Sequence, residues 1–251
     1  MSYYEAVMSA STITRLAPLA EDQWGLLTRQ QAERAGVSPA TIQRLADRSI
    51  LERVAHGVYH LSGAPVPDHV ELRAAWLQLA PDVPAWERRP EQGVVSHRSA
   101  AALYGIGHLP ADTHEFTFPT RRQSRRPDVG LHQGAVSHAI ALRGLPVTRP
   151  SHIASDLLAE REDPAAVASI VADAIRGTYD SPGAFADALT PHARKFGLQR
   201  GDGIALLGWL LELVGDPETP RWMKEARAHV DRVASGAATR GRRTDMDGTG
   251  L

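Results

Sequence analysis

The chain has 251 residues, of which 43% are apolar and 23% charged, with a formal net charge of −1 and no cysteine. Such a composition is typical of a globular protein long enough to build two modest hydrophobic cores. The absence of cysteine excludes disulfides, thiolate catalysis and cysteine-ligated zinc, and the near-zero charge restricts any nucleic-acid surface to a local patch.

The N-terminal region carries no signal for export or for a membrane span. No window approaches the roughly 20 apolar residues that a spanning helix needs, and the first residues lack a basic segment followed by an apolar run. We therefore expect a cytoplasmic protein. The first dozen residues are predicted to be an irregular arm, followed by a helix over residues 13–26 that Pro18 could interrupt.

Residues 28–47, TRQQAERAGVSPATIQRLAD, have the pattern of a helix-turn-helix. A small residue permits close helix contact, a glycine permits a left-handed turn, and three aliphatic residues supply a buried seam. These residues are Ala32, Gly36, Val37, Ile42 and Leu45.

Both helix starts in this segment carry capping residues. Thr28 is a predicted N-cap with Gln31 as its capping-box partner, and Gly36 is placed to end the second helix. Ser38 is predicted to cap the third helix, with Pro39 at its first position, where a missing N–H costs nothing. The second helix is therefore predicted to support the third, whose polar side stays exposed.

Residues 50–63, ILERVAHGVYHLSG, form two β-prone runs around His56 and Gly57. A hairpin directly after a recognition helix is a wing, so the pattern favours a winged helix-turn-helix over a homeodomain. The spacing of His56 and His60 suits a metal on a helix but not on a hairpin, so no metal is expected. Tyr59 is predicted to be a core residue.

The polar side chains left outside this fold are the predicted DNA contacts. Residues near the start of a recognition helix read bases, and a basic wing contacts phosphates or the minor groove. The predicted contacts are Ser38, Thr41, Gln43, Arg44 and Arg48 on the third helix, with Arg53 and His56 on the wing. His60 is expected on the wing as well.

Residues 63–67, with two prolines and no periodicity, form the predicted domain boundary. The predicted fold is α+β: a winged helix-turn-helix at 12–63, an α+β domain at 68–234 with a helical C-terminal half, and a disordered tail at 235–251. Strands are predicted at 94–95, 115–119, 129–132 and 145–148. Helices are predicted at 68–79, from 96 or 98 to 104, and at 151–160, 164–177, 182–193, 202–214 and 220–234.

Residues 120–127, TRRQSRRP, carry the densest charge in the chain. Four arginines so close together repel one another unless they stay solvated or meet an anionic partner. They are Arg121, Arg122, Arg125 and Arg126. Four uses are open: a second phosphate contact, an RNA contact, docking to an acidic protein surface, or a solvated loop.

The sequence motifs argue against catalysis. A restriction-type nuclease needs a lysine two places after an acidic residue, and neither Lys195 nor Lys224 fits. Nucleotidyl transfer needs paired aspartates on an ordered turn, and Asp245 and Asp247 lie in the predicted tail. No nucleophile elbow or phosphate-binding glycine loop occurs either, so no cofactor is expected.

Residues 26–63 resemble the winged-helix N-terminal domain of AbiEi-type antitoxins, through GLLTRQQAERAGVS and RVAHGVYHLSG. The likeness continues through VVSHRSAAALYGIG, VGLHQG and GLPVTRPSHIASDLLAE, and departs from the family after Gly201. The resemblance implies a bacterial antitoxin that binds inverted repeats in its own promoter, represses its operon, and neutralises a co-encoded nucleotidyltransferase toxin. Whether neutralisation is by direct binding stays open.

These observations predict a non-enzymatic antitoxin and autorepressor, with double-stranded DNA and a toxin as partners and no membrane. Because operators are two-fold and each chain has one reading head, two copies are expected on DNA. One alternative is a transcriptional regulator whose second domain senses a ligand or dimerises, without a toxin. The other is a nucleic-acid enzyme that uses the winged helix for targeting.

Overall fold

The computed structural model describes residues 3–246, which divide into two compact units. The first unit contains the described residues up to Val95 together with Asp112–Val147. The second contains Ser96–Ala111 and the described residues from Thr148 onward. Both sheets are built in the first unit, and the second is helical.

Residues 3–246 form ten α-helices and eight β-strands. The helices are α1 (Tyr3–Glu21), α2 (Arg29–Arg34), α3 (Pro39–Asp47), α4 (Val70–Gln78), α5 (His97–Tyr104), α6 (Pro150–Ala159), α7 (Pro164–Arg176), α8 (Pro182–Leu189), α9 (Gly203–Leu213) and α10 (Thr219–Met246). The strands are β1 (Leu26–Thr28), β2 (Leu51–Ala55), β3 (Val58–Leu61), β4 (Val94–Val95), β5 (His114–Phe118), β6 (Val129–Gln133), β7 (Ala139–Leu142) and β8 (Leu145–Thr148).

Helices α1 to α3 pack with a three-stranded antiparallel sheet of order β1-β3-β2. The core between them contains Leu16 of α1, Ile42 and Leu45 of α3, and Leu51 of β2, all buried. Tyr59 of β3 belongs to the same core, as predicted. Three helices on a short sheet that ends in a hairpin fit the predicted winged helix.

The first helix differs from its prediction at both ends. Helix α1 begins at Tyr3, so the described part of the expected irregular arm is helical, and it passes through Pro18 without a break. It ends at Glu21 rather than residue 26, because Trp24 (φ 60°) and Gly25 (φ 79°) turn the chain away from the helix. Leu26, predicted to be helical, instead pairs with His60 and begins β1.

The five-stranded sheet of the first unit has the order β6-β5-β4-β8-β7. Strands β4 and β5 are antiparallel, whereas β4 with β8 and β5 with β6 are parallel. The predicted strands all occur, and β7 adds one that was not predicted. Residues 63–67, expected to be a linker, form an irregular segment inside this unit.

Helices α5 to α10 form the second unit, with contacts between α6 and α8, α7 and α9, and α8 and α10. One face of α7 is apolar and buried, including Val167, Ile170 and Val171. Helix α10 continues to Met246, so residues 235–246 of the expected tail are helical, and residues 247–251 lie outside the described residues. Over residues 3–246, no helix combines the length and apolar character needed to cross a bilayer.

Candidate nucleic-acid interface

The start of α2 is fixed by the predicted capping box. The Gln31 backbone N–H donates to Thr28 Oγ1 at 3.1 Å, and the Thr28 backbone N–H donates to Gln31 Oε1 at 2.9 Å. Two N–H groups that the first turn leaves without helical partners are thereby satisfied. This prediction is confirmed.

The turn between α2 and α3 also forms as predicted. Gly36 adopts a φ of 78°, and the Val37 N–H donates to the Ala32 carbonyl at 3.0 Å. Ser38 Oγ accepts from the Thr41 backbone N–H at 3.2 Å, and Pro39 occupies the first turn of α3. The orientation of α3 is therefore set by local hydrogen bonds as well as by its buried side.

Helix α3 divides into a buried side and a polar exposed side. Ile42 and Leu45 are 1% and 3% exposed, whereas Gln43 and Arg44 lie on the surface. Arg44 Nη2 donates to Thr41 Oγ1 at 2.9 Å, and Thr41 Oγ1 lies 3.0 Å from the hydroxyl of Ser38. Three predicted contact residues thus form one hydrogen-bonded cluster at the exposed face.

The other two predicted residues are Gln43, at the middle of α3, and Arg48, at its C-terminal end. Gln43 Nε2 donates to Asp47 Oδ1 at 2.8 Å, which holds the amide at the surface. Arg48 is the exposed C-cap residue of α3. The exposed amide and guanidinium groups of α3 and its C-cap supply the donors and acceptors that base edges and phosphates require.

The wing brings Arg53 and His56 together. Arg53 Nη2 donates to His56 Nδ1 at 3.0 Å, so the neutral imidazole carries its proton on Nε2. Both side chains are exposed. His60 lies in strand β3 of the wing hairpin, as predicted, but it is 3% exposed, because its ring packs against Gly25.

A pair of buried glutamines, which was not predicted, holds α2 in place. Gln23 and Gln31 each donate to the other's side-chain carbonyl at 2.9 Å. Gln31 Nε2 also donates to the Val83 carbonyl at 3.1 Å, and Gln23 Oε1 accepts from the Ala85 backbone N–H at 2.8 Å. The segment after α4 therefore holds the helix that supports α3.

The arginine-rich loop between β5 and β6 joins the wing through one residue. Arg126 donates to Gln78 Oε1, and Gln78 Nε2 donates to the His56 carbonyl at 2.7 Å. Arg126 also pairs with Asp128, and this hydrogen bond holds the pKa of the Asp128 carboxyl below its usual range. Only Arg126 of the four arginines makes this connection among the described residues.

The remaining loop arginines are directed to solvent. Arg121, Arg122 and Arg125 are exposed, and the Arg122 guanidinium lies 4.3 Å from the centre of the Phe118 ring. Arg121 and Arg122 border an open groove of about 580 Å³ beside β6. Within residues 3–246, none of the three makes an ion pair.

A helix-turn-helix with an exposed polar third helix, completed by a three-stranded sheet and its hairpin, fits the winged-helix class of DNA-binding folds. Residues 15–61, which span this arrangement, match the protein-family model described as "Transcriptional regulator, AbiEi antitoxin". The resemblance to AbiEi antitoxins is thereby confirmed over the winged helix. A comparison with curated proteins finds no match.

Proposed function

We propose that the protein is a non-enzymatic antitoxin and autorepressor that binds its own promoter through α3 and the wing. The division of α3 into a buried seam and an exposed cluster of Ser38, Thr41 and Arg44 carries this proposal. A helix held in this way presents its polar side chains in fixed positions, as base recognition in the major groove requires.

Each exposed residue has a role suited to its chemistry. The Arg44 guanidinium matches the two acceptors of guanine, and the Gln43 amide matches the donor and acceptor of adenine. On binding DNA, the Gln43 amide would give up its hydrogen bond to Asp47 and form hydrogen bonds with the base instead. Arg48, Arg53 and His56 would contact phosphates on either side, which positions the helix without reading sequence.

A gel shift on DNA from upstream of the coding sequence tests the reading role of α3. We expect Q43A/R44A to lose promoter binding, because each bidentate base contact contributes about 1 to 3 kcal/mol of discrimination. The matched control is Q199A/R200A, an exposed Gln–Arg pair in the second unit. Unchanged promoter binding by Q43A/R44A would remove α3 from the reading role.

The antitoxin activity is supported by the resemblance over the winged helix and is tested by rescue of growth. The assay requires a neighbouring reading frame that carries a nucleotidyltransferase signature, which is expressed alone and together with this protein. We expect growth arrest in the first case and growth in the second. A neighbour that is harmless when expressed alone would contradict the antitoxin role.

A transcriptional regulator without a toxin is the second candidate, because the family match spans residues 15–61 and does not reach the second unit. The two proposals differ in the rescue assay but not in the gel shift. Promoter binding without rescue would support the regulator, whereas rescue by Q43A/R44A would separate neutralisation from DNA binding.

A further inference from the structure

The wing tip, the start of α2 and the arginine-rich loop border one groove of the first unit. This groove, of about 630 Å³, is lined by Arg29 of α2, by His56 and Gly57 of the wing, and by Arg126. The Arg29 backbone N–H donates to the Gly57 carbonyl at 2.8 Å, so the wing tip is tied to α2 as well as to Gln78. The loop is thus connected to the proposed reading head by defined hydrogen bonds.

The charge of the loop is not neutralised by its surroundings. Asp128 pairs with Arg126, which leaves Arg121, Arg122 and Arg125 exposed and without an ion pair in the described part of the chain. One guanidinium group can donate two parallel hydrogen bonds to the oxygens of one phosphate, so arginines are well suited to bind a polyanion. The three remaining guanidinium groups lie on the loop that Arg126 joins to the wing, and they would extend the positive surface along the duplex.

The residue types of the loop favour duplex DNA over single-stranded RNA. Recognition of single strands relies on aromatic side chains that stack on bases, and residues 120–127 contain none. The nearest aromatic ring, Phe118, is fully buried and has Arg122 above it. The loop therefore offers charge without a stacking platform.

We propose that Arg121, Arg122 and Arg125 bind the phosphate backbone of the duplex flanking the site that α3 reads. Contact by the loop raises the affinity of the protein for DNA and lengthens the stretch of duplex that is contacted, without adding sequence preference. This inference rests on the proposed DNA binding by α3 and the wing, and it assigns the second contact on the same duplex.

Duplexes of two lengths test the inference. Nuclease protection by the R121A/R122A/R125A variant defines the core site in the upstream DNA, and labelled duplexes carry either this core or the core with about one helical turn of flanking DNA, about 10 base pairs, on each side. Affinity is measured for both duplexes over a series of salt concentrations. The variants are R121A/R122A/R125A and R121A/R125A, of which the second retains the Arg122 contact with Phe118.

The wild-type protein should bind the flanked duplex more tightly than the core, and both variants should lose this gain while retaining core binding. The salt dependence on the flanked duplex should weaken by about 0.9 in log–log slope for each phosphate contact removed. The control R200A/R227A/R232A removes three positive charges from exposed positions of the second unit and should retain the gain. Thermal unfolding of all variants should be unchanged.

Equal affinity of the wild-type protein for both duplexes would overturn the inference, as would a gain that survives in the loop variants. If the loop variants lose binding only to single-stranded RNA or only to the toxin, the loop is assigned to that partner and the inference is overturned as well. If the wild-type protein shifts neither duplex, the proposed DNA-binding function fails, and the inference fails with it. A duplex shift that depends on Gln43 and Arg44 but not on the loop leaves the proposed function standing.

Discussion

At the scale of single residues, the least expected feature is a polar contact inside an apolar core. Gln23 and Gln31 are 0% and 2% exposed, yet both side-chain amides have all their hydrogen-bonding capacity used. A buried polar pair that is fully bonded fixes one geometry, whereas a partly bonded pair is costly. The sequence indicates the capping role of Gln31, but the distant partners of the pair could not be predicted: the Val83 carbonyl for Gln31 and the Ala85 N–H for Gln23 each lie more than 50 residues away.

We expect Q31M to destabilise the protein by about 2 to 5 kcal/mol, since removing one partner leaves several buried groups unbonded at about 1 to 3 kcal/mol each. The groups left are the Thr28 N–H, the Val83 carbonyl and the amide of Gln23. Urea denaturation measures the loss. The control is Q30M, at an exposed position of the same helix, which should change stability little. Equal stability of the two variants would contradict the structural role of the pair.

At the scale of elements, local signals were sufficient for some parts of the fold and insufficient for others. The capping residues of α2 and α3, the turn at Gly36 and the hairpin at His56 and Gly57 depend on neighbours within a few residues, and all were predicted. Strand β1 has three residues and exists because β3 pairs with it, and β7 depends on β8. Such short strands have no periodicity of their own.

A glycine allows helices α8 and α9 of the second unit to pack closely. A Cβ on Gly203 would lie directly on the Ala186 carbonyl oxygen, a backbone atom that cannot rotate away. We therefore expect G203A to separate the two helices and to lower the melting temperature strongly, because overpacking against backbone typically costs about 1 to 3 kcal/mol or more. Scanning calorimetry measures this change.

Gly208 on the same helix provides the comparison for G203A. A Cβ there would lie 3.2 Å from the terminal methyl of Met223, which is the end of a flexible side chain. G208A should therefore fold with a melting temperature close to that of the wild-type protein. If both variants melt alike, the contact at Ala186 does not control the packing of α9.

At the scale of the whole molecule, the sequence locates the proposed reading head better than it locates the surfaces around it. Ser38, Thr41, Gln43 and Arg44 were predicted from helical spacing to lie outside the core; Ser38, Gln43 and Arg44 are exposed and Thr41 is half-buried. The link from Arg126 through Gln78 to the wing was not predicted, because it joins residues 22 and 48 positions apart. The high charge density of residues 120–127 is evident from the sequence, whereas the connection of Arg126 to the wing is evident only from the fold.

Each chain contributes one α3, whereas a promoter site made of inverted repeats presents two equivalent half-sites. We expect two chains on a duplex carrying the complete repeat and one chain on a duplex carrying a half-site, because two-fold DNA is matched by two copies of a single reading head. Native mass spectrometry of the complexes at saturating protein counts the chains directly. The Q43A/R44A variant should form neither complex, which ties both binding events to α3. One chain on the complete repeat would contradict the two-copy arrangement and would require α3 and the arginine-rich loop of a single chain to occupy the whole site.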